Sequence, residues 1–306
     1  THYLTDQESW LPVHLTPYAQ DKTFGYRHSN LVQFIVEKTT KLINDSEIQS
    51  VSIDNLEKSD TLFILEKIQN AKKYLVVNAI TYGHIDRFVS IIKNSNRKII
   101  FRTSASFAAS FAAVKSINLL YREEIYQNCP ANNGGLIVVG SHVPNTTAQL
   151  HQLIRSGIKT IELEVEKLLD KQTHVEGYVK SLSNQIDASL AHNEDVVLYT
   201  SRKLVTTHDE TESLKLSVNI STNLVSIIKN LKIQPKFIIS KGGITSSDIA
   251  TKALSLRRAI VLGQIENGIS VWKTDETSKF PHMPYIVFPG NVGTSDTLKN
   301  VYDKLK

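Results

Sequence analysis

The 306 residues suggest about two domains, and a hydrophobic fraction of 41% excludes a chain that is disordered throughout. The net charge of +5 is spread along the sequence in pairs such as Arg257-Arg258, which argues against nucleic-acid binding, since that usually needs a concentrated basic patch. The single Cys129 excludes an internal disulfide and suits a reducing compartment, and the apolar runs are far shorter than the ~20 residues of a membrane span, so we expect a cytoplasmic protein.

Short apolar runs alternate with longer amphipathic segments along most of the sequence. The apolar runs predict strands at residues 51–53, 74–77, 98–102, 136–140, 160–163, 196–200, 237–240, 258–262, 269–272 and 285–288. The amphipathic segments predict helices at residues 30–44, 60–70, 85–93, 146–155, 173–191, 212–231, 246–256 and 295–305. This alternation is typical of an α/β fold, and we predict two domains with largely parallel sheets flanked by helices.

The alternation is interrupted between Asn118 and Asn133, where turn-forming residues cluster. We therefore predict a first domain at residues 1–118, a linker region at 119–133 and a second domain at 134–306. Because an α/β sheet often has an exposed edge strand that can pair with another chain, we also expect a homodimer.

Glycine and hydroxyl residues follow three of the predicted strands in the second domain. The segments read L-I-V-V-G-S-H-V-P-N-T-T (136–147), F-I-I-S-K-G-G-I-T-S-S-D (237–248) and Y-I-V-F-P-G-N-V-G-T-S-D (285–296). Ligands of open α/β sheets bind beyond the carboxyl ends of the strands, and the free N–H groups of a helix start attract phosphate. The missing side chains of Gly242 and Gly243 would let a phosphate touch the backbone. Together the three loops favour one extended anion, such as a nucleotide.

Each loop also has a purely structural interpretation. The first can be an ordinary turn before a helix capped by Asn145 or Thr146, and Thr245 with Asp248 spells a capping box. These caps leave the paired glycines and Lys241 unexplained. The spacing fits neither a P-loop nor a dinucleotide-binding fingerprint, so the segments predict only a generic phosphate cradle, with Lys241 as a candidate to neutralise phosphate.

Two segments of the first domain place an arginine beside hydroxyl groups, namely F-G-Y-R-H-S-N (24–30) and F-R-T-S-A-S-F (101–107). Arg27, and Arg102 with Thr103 and Ser104, are therefore candidates to bind a carboxylate or a sugar acid. The alternative is structural, with each arginine paired to a neighbouring acid and the hydroxyl groups capping helices.

No pattern in the sequence predicts a metal site built by protein side chains. The segment H-D-E-T-E at residues 208–212 could hold a metal, but it fits better as the acidic first turn of a solvated helix. None of the ten histidines forms an H-x-x-x-H pair, which argues against zinc. The catalytic residues stay unassigned, since the chain has no G-x-S-x-G motif either.

Taken together, the three loops resemble the nucleotide-binding domain of the four-carbon acid sugar kinase family, in the right order and spacing from Leu136 onward. The segments T-H-Y, D-K-T-F-G-Y-R-H-S-N-L and F-R-T-S-A-S-F resemble the later part of the same family's substrate domain. The resemblance implies ATP-dependent phosphorylation of a small sugar acid of the erythronate, threonate or oxo-tetronate type, with Mg²⁺ arriving with ATP. It assigns to the nucleotide Ser141, Gly242, Gly243, Ile244, Thr245, Gly290 and Asn291.

The chain departs from the family in one respect, because it lacks the D-D-x-T-G-A type of segment near the start of the substrate domain. We therefore expect a substrate domain that is shortened at its front, with a separate chain as one source of the absent segment. Two alternatives stay open. One is a nucleotide-binding protein without catalysis, which the absent segment favours, and the other is a phosphosugar-binding or isomerase domain that does not respond to ATP.

Overall fold

The computed structural model describes residues 1–6, 9–20, 24–115, 117–129, 132–141, 143–170, 172–202 and 210–306, the last range without the side chains of residues 210–214. The chain divides into two compact units, Thr1–Ser116 and Ile117–Lys306. Residues of the predicted linker region pack on the second unit, since the Leu120 N–H donates to Gln264 O (2.8 Å) and the Tyr126 hydroxyl donates to Leu305 O (2.7 Å).

The first unit combines a β-hairpin with a small layer of parallel strands and helices. Its elements are β1 (Tyr3–Asp6), β2 (Ser9–Pro12), α1 (Leu31–Lys38), β3 (Ile48–Val51), α2 (Ile53–Lys58), α3 (Thr61–Asn70), β4 (Tyr74–Val77), α4 (Tyr82–Ile92) and α5 (Ala105–Phe111). Strands β1 and β2 pair antiparallel, whereas β3 and β4 pair in parallel. Apolar faces of α2, α3 and α4 bury their side chains around Val51 of β3.

The strand predicted at residues 98–102 is wrong. This segment has no regular secondary structure, and Ile100 is 99% exposed. A run of β-forming residues becomes a strand only when a neighbouring strand accepts its backbone hydrogen bonds, and β4, the nearest strand before it, pairs with β3 instead. The hairpin of β1 and β2 and the short helices α2 and α5 had no counterpart among the predicted elements.

The second unit contains the larger sheet. Its elements are α6 (Arg122–Ile125), β5 (Leu136–Val139), α7 (Pro144–Ile154), β6 (Lys159–Leu163), α8 (Val165–Leu169), α9 (Val175–Ala191), β7 (Val196–Thr200), α10 (Glu210–Asn230), β8 (Ile238–Lys241), α11 (Gly243–Asp248), β9 (Ala259–Glu266), β10 (Ile269–Thr274), β11 (Pro284–Phe288) and α12 (Thr297–Leu305). Helix α11 continues into a π-helical turn at Ile249–Ala253. None of the described helices is both long and apolar enough to cross a membrane.

The described strands of this unit form one seven-stranded sheet in the order β6-β7-β5-β8-β11-β10-β9. The five strands from β6 to β11 are parallel, and β10 and β9 complete the sheet antiparallel. The predicted α/β class with a largely parallel sheet is confirmed. The strands that follow β5 in the chain, β6 and β7, lie on one side of β5 within the strand order. The later strands β8 and β11 lie on the other side of β5, so the strand order reverses between β5 and β8.

Both faces of this sheet are covered. On β5, Leu136 and Val138 join one apolar cluster with α9 and α10, whereas Ile137 and Val139 join a second cluster with α7 and α12. All four side chains are fully buried. This explains why the strand reads as an uninterrupted apolar run, because central parallel strands have no solvent-facing side.

The start of β5 gives a direct test of the packing. A Cβ atom on Gly135 would lie 2.2 Å from the fully buried ring of Phe237. We expect Gly135→Ala to lower the free energy of unfolding by about 1–3 kcal/mol, because the ring has no free space to move into. Urea unfolding measures the change. Gly243→Ala is the control, since its Cβ would meet no atom within 4 Å; equal effects of the two substitutions would contradict this packing.

Candidate functional site

The three glycine-containing loops lie side by side at one edge of the large sheet. They follow β5, β8 and β11, which are adjacent, parallel and in register, so that Lys241 at the end of β8 pairs with both Val139 and Phe288. We call them the first loop (residues 140–143, with 142 outside the described residues), the second loop (Gly242 and the first turn of α11) and the third loop (residues 289–296). The sequence predicted a site at these strand ends, and the sheet brings the loops together.

Distances between the loops confirm that they touch. A Cβ on Gly140 would lie 2.5 Å from Thr245 Oγ1, so only glycine lets the first loop approach the second. A Cβ on Gly242 would lie 3.6 Å from Ser141 Cβ, and one on Gly290 would lie 4.0 Å from Gly242 Cα. The second loop therefore sits between the other two.

The two glycines of the second loop have different structural roles. Gly242 has φ +120° and donates its N–H to Phe288 O (2.9 Å), so its backbone conformation requires glycine. Gly243 has no such requirement, and a side chain there would point into open space. Nothing in the packing explains why Gly243 lacks a side chain, whereas contact with a ligand would.

Among the residues predicted to contact the nucleotide, the exposed ones lie in the second and third loops. Gly243, Ile244 and Asn291 are exposed, with 72% of Ile244 accessible, whereas Ser141, Thr245 and Gly290 are half-buried between the loops. The predicted capping box is wrong. The residue before α11 is Gly242, no side chain caps the helix, and Asp248 accepts from Ser221 Oγ (2.8 Å) and Lys252 Nζ (2.8 Å) instead.

Helix α7 holds the third loop through its first turns. Asn145 Nδ2 donates to Gly293 O (3.1 Å), Thr146 Oγ1 donates to Gly290 O (3.3 Å), and the buried Gln149 donates from Nε2 to the carbonyls of Val292 (3.0 Å) and Thr294 (2.8 Å). The prediction that Asn145 or Thr146 caps this helix is wrong, since the helix begins at Pro144 after Val143. These side chains anchor the third loop.

Arg202, which the sequence reasoning missed, holds the first loop from the other side. Its guanidinium donates to Ser141 O (2.6 Å) and Thr200 O (2.8 Å), and Thr200 Oγ1 donates to Gly140 O (3.2 Å). The available signal was the segment T-S-R at the end of β7, because β7 is the neighbour of β5 in the sheet.

Lys241 points into the protein, away from the exposed face of the loops. Its side chain is fully buried, and Nζ donates to Pro289 O (2.8 Å) and Gly290 O (3.2 Å) of the third loop. Nζ also lies 3.9 Å from the centre of the Phe288 ring. Loss of solvation lowers the pKa of Lys241 to about 7. Lys241 is therefore not exposed at the surface of the loops, and its predicted role in neutralising phosphate stays a prediction.

The predicted sugar-acid residues lie in the first unit. Arg27 is exposed, and its backbone N–H is held by the Glu37 carboxylate (3.1 Å). The neighbouring Ser29 and Asn30 have structural roles, because Ser29 Oγ contacts His14 Nδ1 (2.7 Å) and Asn30 caps α1. The group Arg102, Thr103 and Ser104 is exposed in the segment before α5, and Ser104 makes no capping hydrogen bond there.

Within the described residues, no group of three or more His, Cys, Asp or Glu side chains could hold a metal ion. The segment H-D-E-T-E at 208–212 lies outside the residues whose side chains the structure describes. His142 in the first loop and residues 21–23 of the D-K-T-F-G-Y-R segment are also outside the described residues.

Comparison with known families assigns both units. Residues 1–111 match a sugar-binding N-terminal domain, and residues 136–298 match a nucleotide-binding C-terminal domain, which alone spans more than half of the chain. The chain belongs to the four-carbon acid sugar kinase family. The family resemblance expected from the sequence is confirmed, and the three loops all lie in the nucleotide-binding domain.

Solved structures share this fold at low sequence identity. A protein from Salmonella typhimurium LT2, provisionally named a tRNA synthase, is 13% identical with a TM-score of 0.66, and the match covers 96% of this chain and 67% of that one. A Haemophilus influenzae protein of the DUF1537 family is 16% identical with a TM-score of 0.57, over 96% and 68% of the two chains. No curated protein matches the chain.

The stability of the protein should depend on pH through Lys241. The pKa of this lysine is about 7 in the folded protein and lies near its ordinary value of 10.5 in the unfolded chain, so between these values the unfolded chain binds the extra proton. The contribution of Lys241 therefore makes the protein more stable as the pH rises from about 7 to about 10, by at most ~1.4 kcal/mol per pH unit.

Lys241→Met removes this titration. Urea unfolding of the wild type and of Lys241→Met should be compared between about pH 7 and about pH 10. The unfolding free energy of the wild type should rise relative to that of the variant as the pH rises. A difference in unfolding free energy that stays constant with pH would contradict the lowered pKa of Lys241.

Proposed function

We propose that this protein is an ATP-dependent kinase that phosphorylates a hydroxyl group of a small four-carbon sugar acid, of the erythronate, threonate or oxo-tetronate type. The observation that carries the proposal is the meeting of three glycine-containing loops at the ends of three adjacent parallel strands, within a domain that matches a nucleotide-binding family. Ligands of open α/β sheets bind at such strand ends, next to the point where the strand order reverses.

In this proposal the second loop cradles the phosphates of ATP. Gly243 presents bare backbone, and Ile244 and Thr245 follow at the start of a helix, where N–H groups favour negative charge. Gly242 shapes the turn that exposes them. The open space beside Gly243 fits a group that approaches the backbone closely.

The flanking loops complete the proposed nucleotide site. Ser141 in the first loop contributes its hydroxyl, and Gly290 with Asn291 closes the site from the third loop. Arg202 and Gln149 fix the carbonyl groups of these loops in place, so they position the site without touching the nucleotide. Such rigidity matters because phosphoryl transfer relies mainly on positioning and charge neutralisation.

Mg²⁺ bound to ATP would supply additional neutralisation of the phosphate charge, as is usual in phosphoryl transfer. We assign no protein ligand to it. The described carboxylate nearest in sequence to the second loop, Asp248, already accepts hydrogen bonds from Ser221 and Lys252.

The sugar acid is proposed to bind the first unit, which matches a sugar-binding domain. Arg27 and Arg102 are the candidates for its carboxylate, and Thr103 and Ser104 for its hydroxyl groups, since arginine pairs with carboxylate through two parallel hydrogen bonds. The exposure of all four residues leaves them accessible to a ligand. A homodimer, and a separate chain that supplies further substrate-binding residues, stay predictions.

Gly243→Val tests the phosphate cradle. The fold should be retained, because a Cβ atom at this position would have no packing neighbour within 4 Å, whereas an isopropyl group over the bare backbone would exclude a phosphate. We expect calorimetric affinity for ATP with Mg²⁺ to fall at least about tenfold, a loss of ~1.4 kcal/mol or more.

Thr251→Val is the matched control on the same helical segment, at an exposed position whose hydroxyl donates to Ser247 O (2.7 Å). It should bind ATP like the wild type. Unchanged ATP affinity in Gly243→Val would remove the second loop from the proposed site.

A panel of four-carbon sugar acids tests catalysis. The wild type should release ADP from ATP only when one of these acids is present, because the acid provides the hydroxyl group that accepts the phosphoryl group. Arg102→Gln should raise the KM for the acid and leave the affinity for ATP unchanged. ATP binding without ADP release for any acid would indicate a nucleotide-binding protein without this activity.

A further inference from the structure

Lys241 stands out among the charged groups because it is fully buried without a carboxylate partner. Among the described residues no carboxylate oxygen lies within ion-pair distance of its amine, and burial alone accounts for its lowered pKa. An isolated buried charge is unfavourable, so such a group either becomes neutral or acquires a counter-charge.

The charged groups on the neighbouring elements do not provide that counter-charge. Lys241 follows Ile239 on the sheet face covered by α7 and α12, where Asp303 pairs with Lys299 and Lys304 pairs with Glu266. The remaining groups on α7, α11 and α12 are either basic or already bonded: His151, Arg155, Lys306, Asp296 with Ser295, and Asp248 with Lys252.

The two hydrogen bonds of Lys241 are compatible with a neutral amine. A neutral amine has two N–H donors, and the structure provides two acceptors, Pro289 O at 2.8 Å and Gly290 O at 3.2 Å. The ammonium form has a third N–H, for which the described residues offer no further oxygen acceptor. The Phe288 ring, 3.9 Å from Nζ, would stabilise the positive charge in part.

We propose that Lys241 takes up a proton when an anionic nucleotide binds to the three loops, and so provides the counter-charge from inside the protein. This inference rests on the proposed function. Lys241 acts as a positioning residue, since its amine holds two carbonyl groups of the third loop. The phosphate charge would raise the pKa of Lys241, because an opposite charge nearby favours the charged form of a buried group.

The coupling has a measurable consequence. If binding takes up one proton, ATP affinity falls as the pH rises above the pKa of the empty protein, by up to about tenfold per pH unit. Near pH 8 the phosphate groups of ATP are already fully ionised, since their last pKa is about 6–7. Proton uptake at that pH therefore reports on the protein.

The experiment is calorimetric titration of the full chain with ATP and Mg²⁺ near pH 8 in two buffers that differ in their enthalpy of ionisation. The difference in binding heat gives the number of protons taken up, which should lie between about 0.5 and 1 for the wild type. Lys241→Met and Lys241→Arg should give values near zero, because methionine cannot titrate and arginine stays protonated in both states.

Lys236→Met is the matched control. Lys236 precedes the same strand, but its amine lies 4.9 Å from the Tyr126 ring centre at the opposite end, so proton uptake should equal that of the wild type. A wild-type affinity for ATP that rises or stays level from about pH 7 to about pH 9 would overturn the inference even if the Lys241 variants failed to fold.

Two failures can be told apart. Equal proton uptake in the wild type and Lys241→Arg overturns the role of Lys241 and leaves the nucleotide site intact. No binding of ATP to the wild type overturns the proposed function, and the inference with it.

Discussion

The register of three parallel strands determines where the candidate site lies. Val139, Lys241 and Phe288 are neighbours in the ladder, so β5, β8 and β11 reach the same edge of the sheet at the same level. Each strand is then followed by a glycine-containing segment. A shift of any strand by one residue would exchange its two buried faces and move its loop by ~3.3 Å. Because both faces carry close-packed apolar clusters, the packing of the core fixes the geometry of the loops.

Polar side chains beside the loops hold the loop backbone in place by hydrogen bonds. Arg202 and Thr200 bind the carbonyl groups of the first loop, whereas Gln149 and Lys241 bind those of the third. Buried carbonyl groups need hydrogen-bond donors, so these side chains satisfy the backbone and restrict its motion together. The second loop needs less support, because it is held between its neighbours and begins a helix.

The sequence predicted the position of the three loops at the strand ends better than the contacts that hold these loops. The pattern of strand, glycine pair and helix is local, so Gly242 and Gly243 could be placed from a few neighbouring residues. The contact of Gln149 with Val292 joins residues 143 positions apart, and that of Lys241 with Pro289 joins residues 48 apart. No local pattern encodes such pairs. The strand predicted at 98–102 failed for a related reason, since β-propensity cannot supply a pairing partner.

The contacts of α7 with the third loop have a mechanical consequence. This helix begins directly after the first loop. Three of its side chains donate hydrogen bonds to carbonyl groups of the third loop, which lies beyond the second loop. The first and third loops are therefore tied to the same helix, and their separation depends on the position of that helix. A ligand that contacts both loops would meet a separation that already exists in the free protein, so binding would cost little ordering of the loops.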